Sequence, residues 1–177
     1  MQLFETERLS VRPFTHEDVP ALTEILSDPE VMKYSLRGVC DEKATRQFVD
    51  WCLQCYESYG VGPWALVEKG TGTLIGFCGV GPELVGDVEE TNLGYRLAQQ
   101  YWNQGFATEA AQGVMRYAFE QKHSDSVVVI IEPEHVASVR VTEKSGFRDY
   151  SMQEFHGRPV RIYRMYFEEW RRESFRG

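Results

Sequence analysis

The sequence predicts an α/β fold, a single mixed β-sheet with helices on both faces, with all 177 residues in one domain. Three observations predict it. Asn92 to Ile131 reads as a strand, an amphipathic helix and then VVVII, a β-branched run typical of a strand buried on both faces. Such a βαβ unit implies a locally parallel strand pair. The element order β-α-α-β-β-β-α-β-α-β-β alternates too irregularly for a doubly wound sheet. A chain of this length buries roughly two-thirds of its unfolded surface, so no disulfide or metal staple is required.

Each element has a local reason. LSVRPF (Leu9–Phe14) alternates apolar and polar side chains and reads as the first strand. Thr15 caps a helix expected from His16 to Ser27, and Asp41 caps a second that runs to Tyr59, where Gly60 and Gly62 stop it. WALVE (Trp64–Glu68) and TLIGFCGV (Thr73–Val80) form a hairpin around KGTG. GPELVGDVEE then reads as an acidic loop and NLGYRL (Asn92–Leu97) as the next strand. From Gly105 to Gln121, Phe106, Ala110, Val114 and Ala118 fall on one row, with Ala107, Ala111, Met115 and Phe119 on the next. This is the apolar stripe of a helix packed on the sheet. Val127–Ile131 is the buried strand, and a shorter helix from Val136 to Ser145 stops at Gly146. Strands near Arg148–Phe155 and Val160–Phe167, joined by HGRP, complete the order.

The net charge is −8, divided as +3 over Gly157–Gly177 and −11 before it. Nucleic-acid binding needs a basic footprint, so it is excluded as a general function. The late arginines, Arg158 to Arg176, read as a solvated face with local ion pairs. No run approaches the roughly 18 apolar residues of a membrane span. MQLFETERL lacks the regions of a signal peptide, so a cytoplasmic protein without membrane contact is expected. Cys52 and Cys55 form a C-x-x-C inside the helical pattern FVDWCLQCYESY; with Cys40 and Cys78 they read as buried thiols. His16, His123, His135 and His156 show no metal spacing, and no metal is expected.

The chemistry concentrates in the turn after Leu97, AQQYWNQGFATEA. Gly105 and Ala107 stand at the start of the long helix, where free N–H groups and the macrodipole favour an anion. Pyrophosphate is a common occupant of such a site, which works without Lys or Arg and therefore in an acidic protein. The turn is neither a Walker A loop nor a G-x-G-x-x-G dinucleotide turn.

Taken with PEHVASVRVTEKSGF, this stretch resembles the GNAT superfamily of acyl-CoA-dependent N-acyltransferases. The likeness is nearest to the branch containing the N-terminal (alanine/serine) acetyltransferases of ribosomal proteins. It spans nearly the whole chain, through ETERLSVRPFTHEDV, TLIGFCGV, NLGYRL, YWNQGFATEA and IYRMYFEEW in order. The resemblance implies a GNAT-like mixed sheet with a splayed parallel strand pair, and acetyl-CoA as acyl donor. The family's phosphate loop falls on Trp102 through Ala107. Backbone amides of Asn103, Gln104, Gly105, Phe106, Ala107 and Thr108 would hold the pyrophosphate. Leu97 and Ala98 would pair with the pantetheine arm. The family's N-x-x-S-x-[RK] stretch falls on His135, Ser138 and Arg140, with Ser138 near the thioester sulfur and Arg140 and Lys144 toward the adenine end. Trp102, His135, Asn92 and Thr142 depart from the residues most relatives carry at these positions.

Amine acetylation needs a neutral amine, a polarised carbonyl and a proton for the leaving thiolate. Glu90 shares a strand face with Asn92 and is the first candidate base, with Asp87, Glu89 and His135 as alternatives. Ser138 is the candidate acid and Thr142 its alternative. The acceptor would lie between the Tyr34–Cys40 loop, the Gly81–Glu90 stretch and the His156–Pro159 turn. Acidic rims favour a cationic amine such as a protein N-terminus, a polyamine or an aminoglycoside. Many relatives pair as homodimers. A non-catalytic acyl-CoA sensor and a nucleotide-binding regulator are the competing functional classes.

Overall fold

The computed structural model describes residues 2–122 and 124–174; His123 and Arg176 lie outside them. In chain order the elements are β1 (Phe4–Glu5), β2 (Leu9–Arg12), α1 (Val19–Leu26), α2 (Glu42–Tyr59), β3 (Pro63–Glu68), β4 (Leu74–Val85) and β5 (Val88–Leu97). There follow α3 (Phe106–Lys122), β6 (Ser126–Ile131), α4 (Val136–Lys144), β7 (Tyr150–Phe155), β8 (Arg158–Tyr166) and α5 (Phe167–Ser174). Among the described residues the strands form one sheet in the order β1-β2-β3-β4-β5-β6-β8-β7. Every neighbouring pair is antiparallel except β5–β6, which is parallel and bridged by α3. The expected mixed sheet with one parallel pair is therefore present.

Strand alternation sorts the core into two layers. On one face Leu66, Ile75, Cys78, Leu93, Val127 and Val129 meet the predicted stripe of α3, including Phe106, Ala110, Val114 and Phe119. On the other, Phe14 and Ala65 meet Leu22 and Leu26 of α1 and Val49 and Cys52 of α2. All four cysteines are buried and unbridged, and burial pushes the Cys52 and Cys78 thiols far up. They are core residues, as the helical pattern indicates.

Three features differ from the sequence reading. The acidic loop is the tip of a long hairpin: Gly81 pairs with Asn92, and the ladder continues to Val85 opposite Val88. Gly86, at φ +63, and Asp87 make its two-residue turn. Val85 buries against Val128, Val160 and Ile162, an apolar anchor masked in the sequence by the surrounding acids. The first helix opens as a 3-10 turn, His16–Asp18, because the Asp18 carboxylate is held by Arg12 (2.8 and 2.9 Å) and by the Thr15 N–H (2.9 Å). Pro20 then sits in the first turn of α1, where its missing N–H costs nothing. Finally, Phe167 opens α5 rather than ending a strand; it and Trp170, three residues apart on the helix, pack against Phe119.

Where β4 faces the end of β5 the backbones come unusually close. Gly76, at φ +155, lies opposite Leu97, and a Cβ there would sit 2.0 Å from the Arg96 carbonyl oxygen. Gly76→Ala should therefore destabilise the fold by about 3 kcal/mol, the range of strained or overpacked substitutions. Urea denaturation measures this, and an unchanged midpoint would contradict the close approach.

Candidate active site

The parallel pair is brief. Asn92 opposite Val128 is its one register pair among the described residues. Beyond it Gly94–Leu97 and Val129–Ile131 diverge, which is the splay the resemblance implies. Two cavities open there and meet at a neck formed by Tyr95, Arg96, His135 and Ser138. One, of about 380 Å³, lies between the loop preceding α3 and the flank of α4. The other, of about 150 Å³, is bounded by Tyr34, Leu36, Glu83, Asn92, Phe155 and Arg158.

The larger cavity contains the predicted anion site. Asn103 (φ +61) and Gly105 (φ +82) are both left-handed, a curl that turns successive N–H groups toward one side. The N–H groups of residues 103–108 have no acceptor among the described residues; the first bond of α3 runs from Glu109 N–H to the Gly105 carbonyl (3.0 Å). Of the predicted cofactor residues, Leu97, Asn103, Gly105, Phe106, Ala107, Thr108, His135, Ser138, Arg140 and Lys144 line this cavity. Two do not. The Ala98 main chain is committed, its N–H to Ile75 (2.8 Å) and its carbonyl to Tyr101 (3.0 Å). Gln104 turns its carbonyl to Arg8 (2.9 Å) and its side-chain amide to Gln100 (2.7 Å).

A network absent from the sequence reading braces the loop. The Glu109 carboxylate accepts from the Thr6 hydroxyl (2.5 Å), the Arg8 N–H (2.8 Å) and Arg8 Nε (2.8 Å). The Arg8 guanidinium stacks 3.9 Å above the Phe106 ring and reaches the Gln104 carbonyl. Burial pushes the Glu109 carboxyl up, but the bonds from Thr6 and Arg8 outweigh it and hold it below the usual carboxylate range. The signal was available in principle: Thr6 and Arg8 lie in ETERL and Glu109 in GFATEA, two of the motifs that carry the resemblance.

At the neck, the Tyr95 hydroxyl and Ser138 Oγ are hydrogen-bonded at 3.0 Å. Burial pushes the Tyr95 phenol up to about 12, so it stays protonated at neutral pH. His135 stacks on Tyr34 with centroids 4.2 Å apart, and burial with the nearby Arg96 charge lowers it to about 4. It is a neutral imidazole at physiological pH and a weak base. Thr142 is buried and lines neither cavity.

The structure does not bring Glu90 to this neck. Its carboxylate is paired with Arg164, through Nη1 at 3.0 Å and through Nη2, and lines neither cavity. The hydrogen bond and charge of Arg164 lower it below the usual value. Asp87 sits in the hairpin turn and Glu89 beside Tyr59. Glu83, directly across the ladder from Glu90, lines the smaller cavity, and burial raises its pKa. Asn92 lines the same cavity, with its side-chain oxygen buried and unpartnered. Among the described residues no cluster of His, Cys, Asp and Glu could hold a metal, and no helix is long and apolar enough to cross a membrane.

A splayed mixed sheet with an amide-lined cavity at the mouth of the splay defines an acyltransferase class, and sequence comparison gives the family. Residues 8–148 match the model of the acetyltransferase (GNAT) domain, so the chain belongs to that family and is an acetyl-CoA-dependent acetyltransferase. It is 31% identical to YkkB of Bacillus subtilis (strain 168), over 89% of this chain and 92% of that protein. The crystal structure of a GNAT-family acetyltransferase from Bacillus anthracis superposes with a TM-score of 0.78 at 28% identity, covering 96% of this chain and all of that one. The fold is also that of RimL, a ribosomal L7/L12 alpha-N-protein acetyltransferase in complex with coenzyme A (TM-score 0.79, 17% identity, 96% of this chain and 99% of that one).

Removing the Glu109 charge should show in stability and its pH dependence. A carboxyl held below its unfolded pKa of about 4.3 stabilises the fold above that value and loses the contribution as pH falls through the folded pKa. Glu109→Gln should cost about 1–3 kcal/mol at pH 7, with the difference from the wild type shrinking toward pH 3. Denaturant midpoints across pH measure this, and a constant difference would contradict the charge-based brace.

Proposed function

We propose that the chain transfers an acetyl group from acetyl-CoA to a primary amine by direct attack in a ternary complex. The observation that carries this is the run of amides at residues 103–108, without acceptors among the described residues, beside a cavity that shares Tyr95, Arg96, His135 and Ser138 with a second one. One cavity suits each substrate. The donor set fits the cofactor: outward amides for the pyrophosphate, Arg140 and Lys144 on the α4 flank for the phosphate of the adenosine end, and β5 main chain for the pantetheine. When bound, acetyl-CoA supplies the activated thioester.

The residues around the neck divide the remaining work. Residues 94–97 of β5 border the pantetheine arm beside the splay, the Leu97 carbonyl being taken by Trp102 Nε1–H at 2.9 Å. His135, neutral and fixed against Tyr34, offers a ring nitrogen to that arm without adding charge. Glu83 is the base in this reading, taking the ammonium proton directly or through water; burial has raised it toward the operating pH. Glu90, tied to Arg164, positions the hairpin that carries Glu83. Ser138, with the Tyr95 hydroxyl as its partner, stands where a proton can reach the departing sulfur. The acceptor class is an amine able to enter beside Tyr34, Leu36 and Phe155, whether a protein N-terminus or a smaller amine.

The departures at Asn92 and His135 favour a second reading, a non-catalytic acyl-CoA-binding sensor, since an amide cannot act as a base. Thioester assays with an amine panel separate the two: release of CoA with any amine supports the enzyme, and binding without release supports the sensor.

Two variants test the roles. Gly105→Asp strains a left-handed position (φ +82) and puts its Cβ 3.3 Å from Arg8 Nη2, where the new carboxylate competes with Glu109 for the guanidinium that braces the loop; it should abolish thermal stabilisation by acetyl-CoA. Retained stabilisation would refute the cradle. Glu83→Gln should lower turnover at least tenfold, and remove the acidic limb of the pH–rate profile, which lies above the ordinary Glu value of about 4.3 in the wild type. A wild-type profile in that variant would exclude Glu83 as the base.

A further inference from the structure

Arg96 stands at the neck between the two cavities, and its charge helps to keep His135 neutral. Its side chain donates to the carbonyl of its own neighbour, Tyr95 (2.9 Å), and makes no ion pair among the described residues. A guanidinium has five N–H donors in a planar fork that matches a carboxylate. Confined charges in proteins are normally paired, because desolvation makes an unpaired one costly. Burial lowers the Arg96 pKa, and Tyr95 compensates only in part. The neighbouring acid at this cavity, Glu132, is already engaged by Arg158 at 2.6 Å. Among the described residues none supplies a counter-ion to this positive group at the neck.

We propose that Arg96 anchors a carboxylate of the acceptor, so that the amine acetylated is the amino group of an amino acid or a compound with the same amine–carboxylate spacing. This rests on the acetyltransferase reading above and narrows its acceptor. In an α-amino acid the two groups are separated by one carbon, so a carboxylate held by Arg96 keeps the amine at the neck beside Ser138 and Tyr95. Glu83, on the wall of the same cavity, faces the ammonium with the opposite charge. Glu83 lies opposite Glu90, six strand positions from Arg96, so it sets the negative charge of the cavity wall and Arg96 alone would hold the acceptor's carboxylate. A polyamine or aminoglycoside would bring further positive charge toward Arg96, a repulsion that selects against it. Tyr34, Leu36 and Phe155 leave an apolar wall for the amino-acid side chain.

The test compares CoA release from acetyl-CoA with the twenty standard amino acids and with their C-terminal amides, in the wild type, Arg96→Met and Arg96→Lys. A site built to bond a carboxylate should reject the analogue lacking it by at least about tenfold. The proposal predicts that preference in kcat/KM for the wild type. In Arg96→Met, KM for the free amino acid should rise at least tenfold, while KM for its amide and the Kd for acetyl-CoA stay within about twofold. Arg96→Lys should recover part of the loss; if Arg96→Met does not fold, Arg96→Lys and the wild-type comparison decide. Equal use of acids and amides overturns the proposal, as does an equal loss for both in Arg96→Met. A preference for succinyl-CoA or malonyl-CoA over acetyl-CoA, abolished in Arg96→Met, also overturns it, by assigning the carboxylate to the donor. Acetyl-CoA binding with no release for any free amino acid overturns it too. Failure of acetyl-CoA to bind is the separate failure of the underlying reading.

Discussion

The divergence of β5 from β6 is the constraint on which the rest of the molecule depends. Two adjacent parallel strands would normally continue their ladder, and here they meet at Asn92 and Val128 and then part. Each is held from its far side: β5 by the long antiparallel ladder to β4, and β6 by β8. The gap therefore persists without its own hydrogen bonds, and its polar main chain faces a cavity. The functional groups cluster there because α3 starts at one mouth of the gap, α4 packs along it, and the β4–β5 hairpin carries Glu83 to the other mouth.

Electrostatics explains how a chain of net charge −8 can accommodate a polyanion. Backbone N–H groups at a helix start supply partial positive charge with fixed geometry and no titration. The loop that presents them adopts two left-handed residues, at Asn103 and Gly105, and such backbone needs bracing. Glu109 provides it by drawing Thr6 and Arg8 from the start of the chain against the loop. The ion pair joins the start of the chain to the loop, whose residues 103 and 105–108 line the cavity. Acidity elsewhere on the chain is then free to serve other ends, including Glu83 at the acceptor side.

Features set by local pattern were legible in the sequence. The α3 stripe, the buried VVVII run, the Asp41 cap (its side chain accepts from Ala44 N–H at 2.8 Å) and the glycine at the helix start each depend on neighbours a few residues away. Many of the residues that line the larger cavity come from that same stretch. Contacts between distant segments were not legible. Glu90 and Arg164 are 74 positions apart, and nothing in the sequence couples them, so a paired carboxylate reads as an available one. Glu83 does not stand out in the sequence because the acidic stretch lacks clean alternation and conceals a hairpin whose anchor, Val85, buries against distant strands, among them β6 and β8. Arg96 follows Tyr95 in an ordinary strand pattern, and its isolation appears only when the surrounding acids are placed. Ala98 shows the converse: the resemblance gives its main chain to the pantetheine, while the fold uses it to close a turn.

In the proposed complex the amides at the start of α3 hold the donor's pyrophosphate while the strand gap holds its pantetheine arm. Backbone ¹H–¹⁵N shifts during an acetyl-CoA titration test both halves at once. Large, saturating shifts are expected for residues 103–108 together with Tyr95–Leu97 and His135–Ser138, and small ones at β1 and β7. Saturable binding that leaves the amides of 103–108 unmoved would contradict that complex.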